Sequence, residues 1–209
     1  QMFSKRSVVA GLIIAALLTS CAAVSDLLPE KKATSVLSGR EGVDGPLLAV
    51  KIDDTNMAHP QIGLEDAEIV YIEQVEGGLT RLAAIYSTVV PERVGPVRSA
   101  RISDIDILSQ FGRVAFAYSG AQRKLLPVIS AANLEDLGAQ RQSPKIYTTD
   151  PNRVQPFAMV LRADLLMQKV KEEQRTVDIA KNVGFVFGDL QDGGAPVSYT
   201  HLTLPTNRE

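Results

Sequence analysis

Cysteine is almost missing from this 209-residue chain: Cys21 is the only one, and tryptophan is absent. A single thiol excludes any internal disulfide, so stability must come from a packed core. Histidine is nearly as scarce, with His59 and His201 only. A histidine-rich metal site and a serine nucleophile served by a nearby histidine base are therefore poor readings, and the chain has no Gly-x-Ser-x-Gly elbow. It also lacks phosphate-loop and dinucleotide fingerprints, which leaves no cofactor to expect. Charge of one sign is lacking too: 22 basic against 24 acidic residues produce no global field, which argues against a nucleic-acid partner and leaves only local patches.

What is present begins at the N-terminus. Lys5 and Arg6 precede an apolar run from Val8 to Leu18, and Leu18-Thr19-Ser20-Cys21 closes it. The run is shorter than the roughly 20 apolar residues that span a bilayer, so residues 2–20 read as a secretory signal to be removed. The small-small-Cys ending resembles the bacterial lipobox, in which the cysteine thiol is acylated and becomes the new N-terminus. Each buried CH₂ of an acyl chain contributes about 0.8 kcal/mol of membrane affinity, so a multiply acylated Cys21 would hold the protein to a membrane on the extracytoplasmic side. The expected partner of this end of the chain is thus the cell membrane. An ordinary signal peptide with an incidental cysteine is the competing reading.

Residues 21–45 mix Ser, Pro, Lys, Glu and Gly with little apolar periodicity, as a lipidated N-terminus and flexible tether would. A domain is expected over 46–182. It opens with a strand, Leu47 to Ile52, ending at Asp53 and Asp54. A hairpin follows, Ile69 to Val75 and Leu79 to Ser87, joined by the three-residue glycine-containing connection Glu76-Gly77-Gly78. The spacing Ile102, Ile105, Leu108, Phe111 predicts a helix ending near Gly112, Arg113 to Tyr118 a strand, Leu125 to Ile129 a helix whose Pro127 marks its first turn or kinks it, and Arg162 to Gln174 a further helix. The hairpin strands are apolar on both faces, which predicts an α/β fold: a mixed sheet containing a β-hairpin, covered by helices. Phe185 and Phe187 flanking Val186 read as a strand, with 183–196 the start of a truncated second domain. Residues 197–209 resemble translated sequencing-adapter read-through rather than a native segment, against the plainer reading of a Thr/Pro-rich tail.

Six motifs carry a family resemblance: Ala49-Val50-Lys51-Ile52-Asp53, Pro60 to Leu64, Ala67 to Tyr71, Glu76 to Arg81, Gly95-Pro96-Val97-Arg98-Ser99-Ala100-Arg101 and Ser143 to Thr148. In order and spacing the chain resembles the YerB-like bacterial lipoproteins, a domain-of-unknown-function family. The resemblance implies a lipoprotein in which this α/β domain precedes a smaller C-terminal one. It brings no catalytic residues with it.

The candidate chemistry follows from the residues. Counted outward from the glycine turn, Glu73 faces Arg81, a cross-strand ion pair first and a site second. Glu76 sits on the turn itself as an exposed carboxylate. Arg98 and Arg101, three apart at the start of a predicted helix, can aim two forks at one side, and Ser99 is placed to cap that helix. Either they bind a phosphate or carboxylate together with Ser99, Glu76 and Arg81, or they pair with internal acids such as Glu73, Glu76 or Asp104. Two functions are consistent with this: an envelope module that binds an anionic component or a protein partner, and an envelope glycan-acting or peptidoglycan-acting enzyme using Glu73, Glu76 or Asp53.

Overall fold

The structure, a computed structural model, describes residues 32–188. The chain divides into two units, Gln1–Ala33 and Thr34–Glu209, and the fold is that of the second. The expected signal segment, Cys21, residues 189–196 and the 197–209 tail with its His201 lie outside the described residues.

Five strands form the main sheet: β1 (Leu48–Asp53), β2 (Ile69–Gln74), β3 (Thr80–Tyr86), β5 (Val114–Ala117) and β6 (Leu134–Asp136), in the order β2-β3-β1-β5-β6. The hairpin β2-β3 and the β3-β1 pair are antiparallel, whereas β1, β5 and β6 run parallel. Helix α1 (Ile102–Ser109) leads into β5, and α2 (Leu126–Ala131), with Pro127 in its first turn, carries β5 over to β6. A second, three-stranded sheet is built from β4 (Arg93–Val94), β7 (Tyr147–Thr149) and β8 (Met159–Arg162), and α3 (Ala163–Glu172) follows β8 directly.

The alternation of β1 divides the core. Leu48, Val50 and Ile52 point to one face, where they join Tyr86 and Ala84 of β3, Tyr147 and Leu161 of the small sheet, and Leu166 and Val170 of α3. Leu47, Ala49, Ile85 and Phe116 point to the other, against Leu108 and Phe111 at α1 and Ile129 of α2. Every residue of β1 is buried, as expected of a central strand covered on both faces. The sheet is therefore α/β and mixed as predicted, with helices on one side and a small sheet plus α3 on the other. The exception is β2, whose Val70 and Ile72 stay exposed because it is the edge strand and the small sheet does not extend over it.

Strands β1 and β5 pair directly only over Leu48–Val50 and Ala115–Ala117. At their N-terminal ends Asp178 enters between them, its carbonyl accepting from Leu47 N at 3.0 Å and its N–H donating to Arg113 O at 2.8 Å. At their C-terminal ends residues 96–100 do the same. Asp53 N donates to Pro96 O at 2.9 Å and Arg98 N to Lys51 O at 2.9 Å, while Ser119 N donates to Arg98 O at 2.9 Å and Ala100 N to Gly120 O at 2.9 Å.

Two boundaries differ from expectation. The stretch 34–45, read as tether, is folded onto the domain: Leu37 is only 2% exposed and belongs to the core on the helical face, and Asp44 accepts from Ser35 Oγ and Val36 N, both at 2.9 Å. One anchoring leucine among polar residues leaves no periodic trace. Residues 185–187 are not a strand; Phe185 and Phe187 remain half-exposed and their rings lie 6.1 Å apart, with no sheet edge taking up the segment.

Candidate functional site

The charged residues singled out from the sequence gather on the helical face, around the C-terminal end of β1. Register explains it. Glu73, Arg81 and Asp53 lie opposite one another across β2, β3 and β1, and Lys51 sits two residues before Asp53, so all four side chains share that face. The hairpin register is as predicted, but the Glu73–Arg81 ion pair is not formed. Arg81 turns to the far side of its row instead, with Nη1 3.2 Å from Asp53 Oδ1, and Glu73 is taken by Lys51.

Lys51 is the residue that sequence reasoning passed over. Its side chain is fully buried and lies beside Ala83 of β3, whose small side chain leaves room for the lysine to reach β2. Nζ donates to Glu73 Oε1 and, at 2.7 Å, to Asp104 Oδ1 of the first turn of α1. Ser103 Oγ completes the group by donating to Glu73 Oε2 at 2.5 Å. Burial drives the Asp104 carboxyl up to about 6, with Glu73 adding to the rise and Lys51 opposing it. Glu73 ends below its ordinary value although burial alone would raise it, because Lys51 and Ser103 donate to its charged form.

The arginines stand just beyond this group. Arg98 Nε approaches Asp53 Oδ2 to 3.0 Å, out of hydrogen-bonding alignment, while Nη1 donates to Pro156 O at 3.2 Å and the guanidinium lies 5.8 Å from the Phe157 ring centre. Arg101 turns the other way. Its Nε and Nη2 both reach Glu76 Oε2, at 3.0 and 2.9 Å, and its Nη1 donates to the carbonyls of Ser99 and Ala100 at 3.2 Å. Arg81, nearly buried, is held below its ordinary value first by burial and then by the charges of Arg98 and Arg101, so the three cations do share one neighbourhood. Glu76, on the 3-10 turn Glu76–Gly78, is lowered by its own backbone N–H and by Arg101.

The expected cap is corrected. Arg101, not Ser99, is the N-cap of α1, and Asp104 Oδ2 accepts its backbone N–H at 2.6 Å. Ser99 lies too early because residues 96–100 are committed to the gap between β1 and β5, and its contribution to the site is a backbone carbonyl. The two forks therefore do not act as one clamp: Arg98 serves the buried Asp53, and Arg101 faces outward.

Beside Arg101 opens a cleft of about 460 Å³ between α1 and α2. Ala100, Ile102, Leu125 and Val128 form its apolar lining, and Arg101, Lys124, Gln122 and Glu76 its polar border. Paired carboxylates of unequal acidity, which acid/base chemistry on a glycan needs, exist in Glu73 and Asp104, but Lys51 and Asp104 have no exposed side-chain surface. Among the described residues no group of three His, Cys, Asp or Glu side chains could hold a metal ion.

Comparison with known proteins adds family and fold. Residues 34–177 match the family described as "Protein of unknown function (DUF3048) N-terminal domain". A Bacillus subtilis (strain 168) protein named "Putative lipoprotein YerB" is 36% identical over 109 residues, which cover 50% of this chain and 33% of that protein. The crystal structure of the YerB protein from Bacillus subtilis superposes with a TM-score of 0.64 at 23% identity, over 70% of this chain and 51% of that one, a likeness of fold. The chain thus spans between a third and about half of the length of the relatives it matches. The matched segment begins with the turn that buries Leu37 and ends one residue before Asp178, so it covers most of the folded unit, whose core extends to Ala180. This chain belongs to the DUF3048 N-terminal domain family.

Proposed function

We propose that this protein is a cell-envelope lipoprotein, held at the extracytoplasmic face of a membrane by lipid on Cys21, whose domain binds an anionic group of an envelope component or of a partner protein. The observation that carries the binding role is Arg101. Its guanidinium is braced by the Ser99 and Ala100 carbonyls, stands at the border of the cleft, and among the described residues is ion-paired with a carboxylate that is itself 62% exposed. Arg81 and Arg98 stay with Asp53 and add positive potential behind it. A carboxylate or phosphate arriving there meets a fork suited to its geometry. The relative named as a lipoprotein supports the anchored location.

An enzyme acting on glycan through Glu73, Glu76 or Asp53 is the weaker reading, since Asp53 and Glu73 are themselves buried and already paired with Arg81, Arg98 and Lys51. Two experiments test the proposal. Metabolic labelling with a fatty acid should mark the chain and fail in Cys21→Ser; unchanged labelling of the variant would end the lipoprotein reading. Titration of the Cys21→Ser chain with phosphate and acetate at two salt concentrations should show binding that weakens with salt and vanishes in Arg101→Ala; equal binding by that variant would refute the site.

A further inference from the structure

The cleft between α1 and α2 is more particular than an anion site. Its lining is mostly apolar, and two of the side chains in it are left open: Ile102 is 61% and Val128 41% exposed. Two cations, Arg101 and Lys124, stand at the border of that surface. Inorganic phosphate would use the cations and leave the apolar surface wet, whereas a carboxylate carried on an aliphatic group uses both. Gln122 adds an amide that can donate and accept, which matches a peptide unit rather than an alkyl chain.

Glu76 shows where the ligand's charge would lie. Both Nε and Nη2 of Arg101 converge on the single oxygen Oε2, leaving the side-by-side geometry of a two-oxygen contact unused. The carboxylate rides on a turn whose next two residues, Gly77 and Gly78, have φ of 73° and 72° and open space where a side chain would be. An ion pair this exposed is weak and is readily exchanged for a better one.

We propose that the cleft beside Arg101 receives the C-terminal carboxylate of a peptide ending in an aliphatic residue, and that Glu76 holds that carboxylate's place in the empty protein. This rests on the anion-binding reading of Arg101 and gives it a ligand class. The probe is N-acetyl-Ala-Leu as the free acid, titrated calorimetrically into the full chain carrying Cys21→Ser. Its C-terminal amide, acetate and octanoate serve as the other arms.

The acid should bind, and the amide should bind at least about tenfold more weakly, because it cannot form a charge-assisted fork. Glu76→Gln should tighten the acid by about two- to fivefold, the scale of a released surface ion pair. Ile102→Ser should weaken the dipeptide acid and leave acetate unchanged. Arg101→Ala should abolish binding, and Arg101→Lys, which keeps charge and fold, should weaken it. Equal binding of acid and amide, octanoate binding as tightly as the dipeptide, indifference to Ile102→Ser, or weaker binding in Glu76→Gln would each overturn this assignment while an Arg101-dependent acetate response kept the anion site. Loss of every Arg101-dependent response would remove both.

Discussion

Two clusters of paired charges lie one helical turn apart and behave as different materials. In the first, Lys51 with Glu73 and Asp104, the lysine and Asp104 have no exposed side-chain surface. In the second, Arg101 with Glu76, the carboxylate is mostly in water. Asp104 joins them, its Oδ1 accepting from Lys51 Nζ at 2.7 Å and its Oδ2 from the Arg101 backbone N–H at 2.6 Å. In low dielectric each partner of the first cluster is indispensable once its companions are present, because a lone buried charge is costly. In the second, water replaces a lost partner at little cost, which is what a site that must release and rebind requires. Burial, not residue type, separates the scaffold from the proposed site here.

The contrast can be broken most severely at Lys51. Lys51→Met should cost about 3–5 kcal/mol in urea unfolding, because two carboxylates then stay buried without a cation. Adding Glu73→Gln and Asp104→Asn should recover much of that loss, which would show that the charge imbalance and not the shape of lysine is responsible. Asp53→Asn comes next. It leaves the nearly buried Arg81 and its neighbour Arg98 without their carboxylate and should cost about 2–3 kcal/mol by the same measurement.

Proton linkage sharpens the comparison further. Burial raises Asp104 to about 6, so the folded protein keeps a proton that the unfolded chain has released. The stability tied to that proton is complete below the unfolded value of 3.8 and is lost as pH rises through about 6. Glu68, Glu73 and Glu135 are lowered instead, and their contributions disappear only as pH falls below 4.5. Between about pH 5 and 6 Asp104 should therefore make the unfolding free energy fall with rising pH by roughly 1 kcal/mol. Asp104→Asn should flatten that slope in urea titrations across the window. The smallest effect belongs to the other cluster: Glu76→Gln should leave the thermal midpoint unchanged, and a clear drop would mean that the turn is part of the scaffold after all.

Local pattern made the hairpin legible down to its register, since Glu76-Gly77-Gly78 fixes which residues of β2 and β3 stand opposite. It made α1, α3 and the Pro127 turn legible for the same reason. Partner choice was not local. Glu73 and Arg81 do stand opposite, yet each turns to a residue of β1 that is distant in the chain. The overlooked signal was Lys51 in Ala49-Val50-Lys51-Ile52-Asp53, because a lysine inside a central strand is seldom buried without a counter-charge. The cleft had no sequence trace, being made by the spacing of α1 and α2. Leu37 was hidden by its polar surroundings, and Phe185 and Phe187 misled because alternation marks a strand only where an edge is free to receive it.

The insertion of residues 96–100 between the parallel ends of β1 and β5 bears on how a ligand would be met. Its amides at Arg98 and Ala100 are tied to the strand pair from both sides, so they should exchange with solvent only when the whole sheet opens. Arg101 follows that segment directly and is pinned by Asp104. Those bonds restrain its backbone. Association is then a matter of displacing one carboxylate side chain and a few waters, with little ordering entropy to oppose it. On the proposed binding role, affinity would be tuned by the swing of Glu76, while the frame that presents Arg101 stays still.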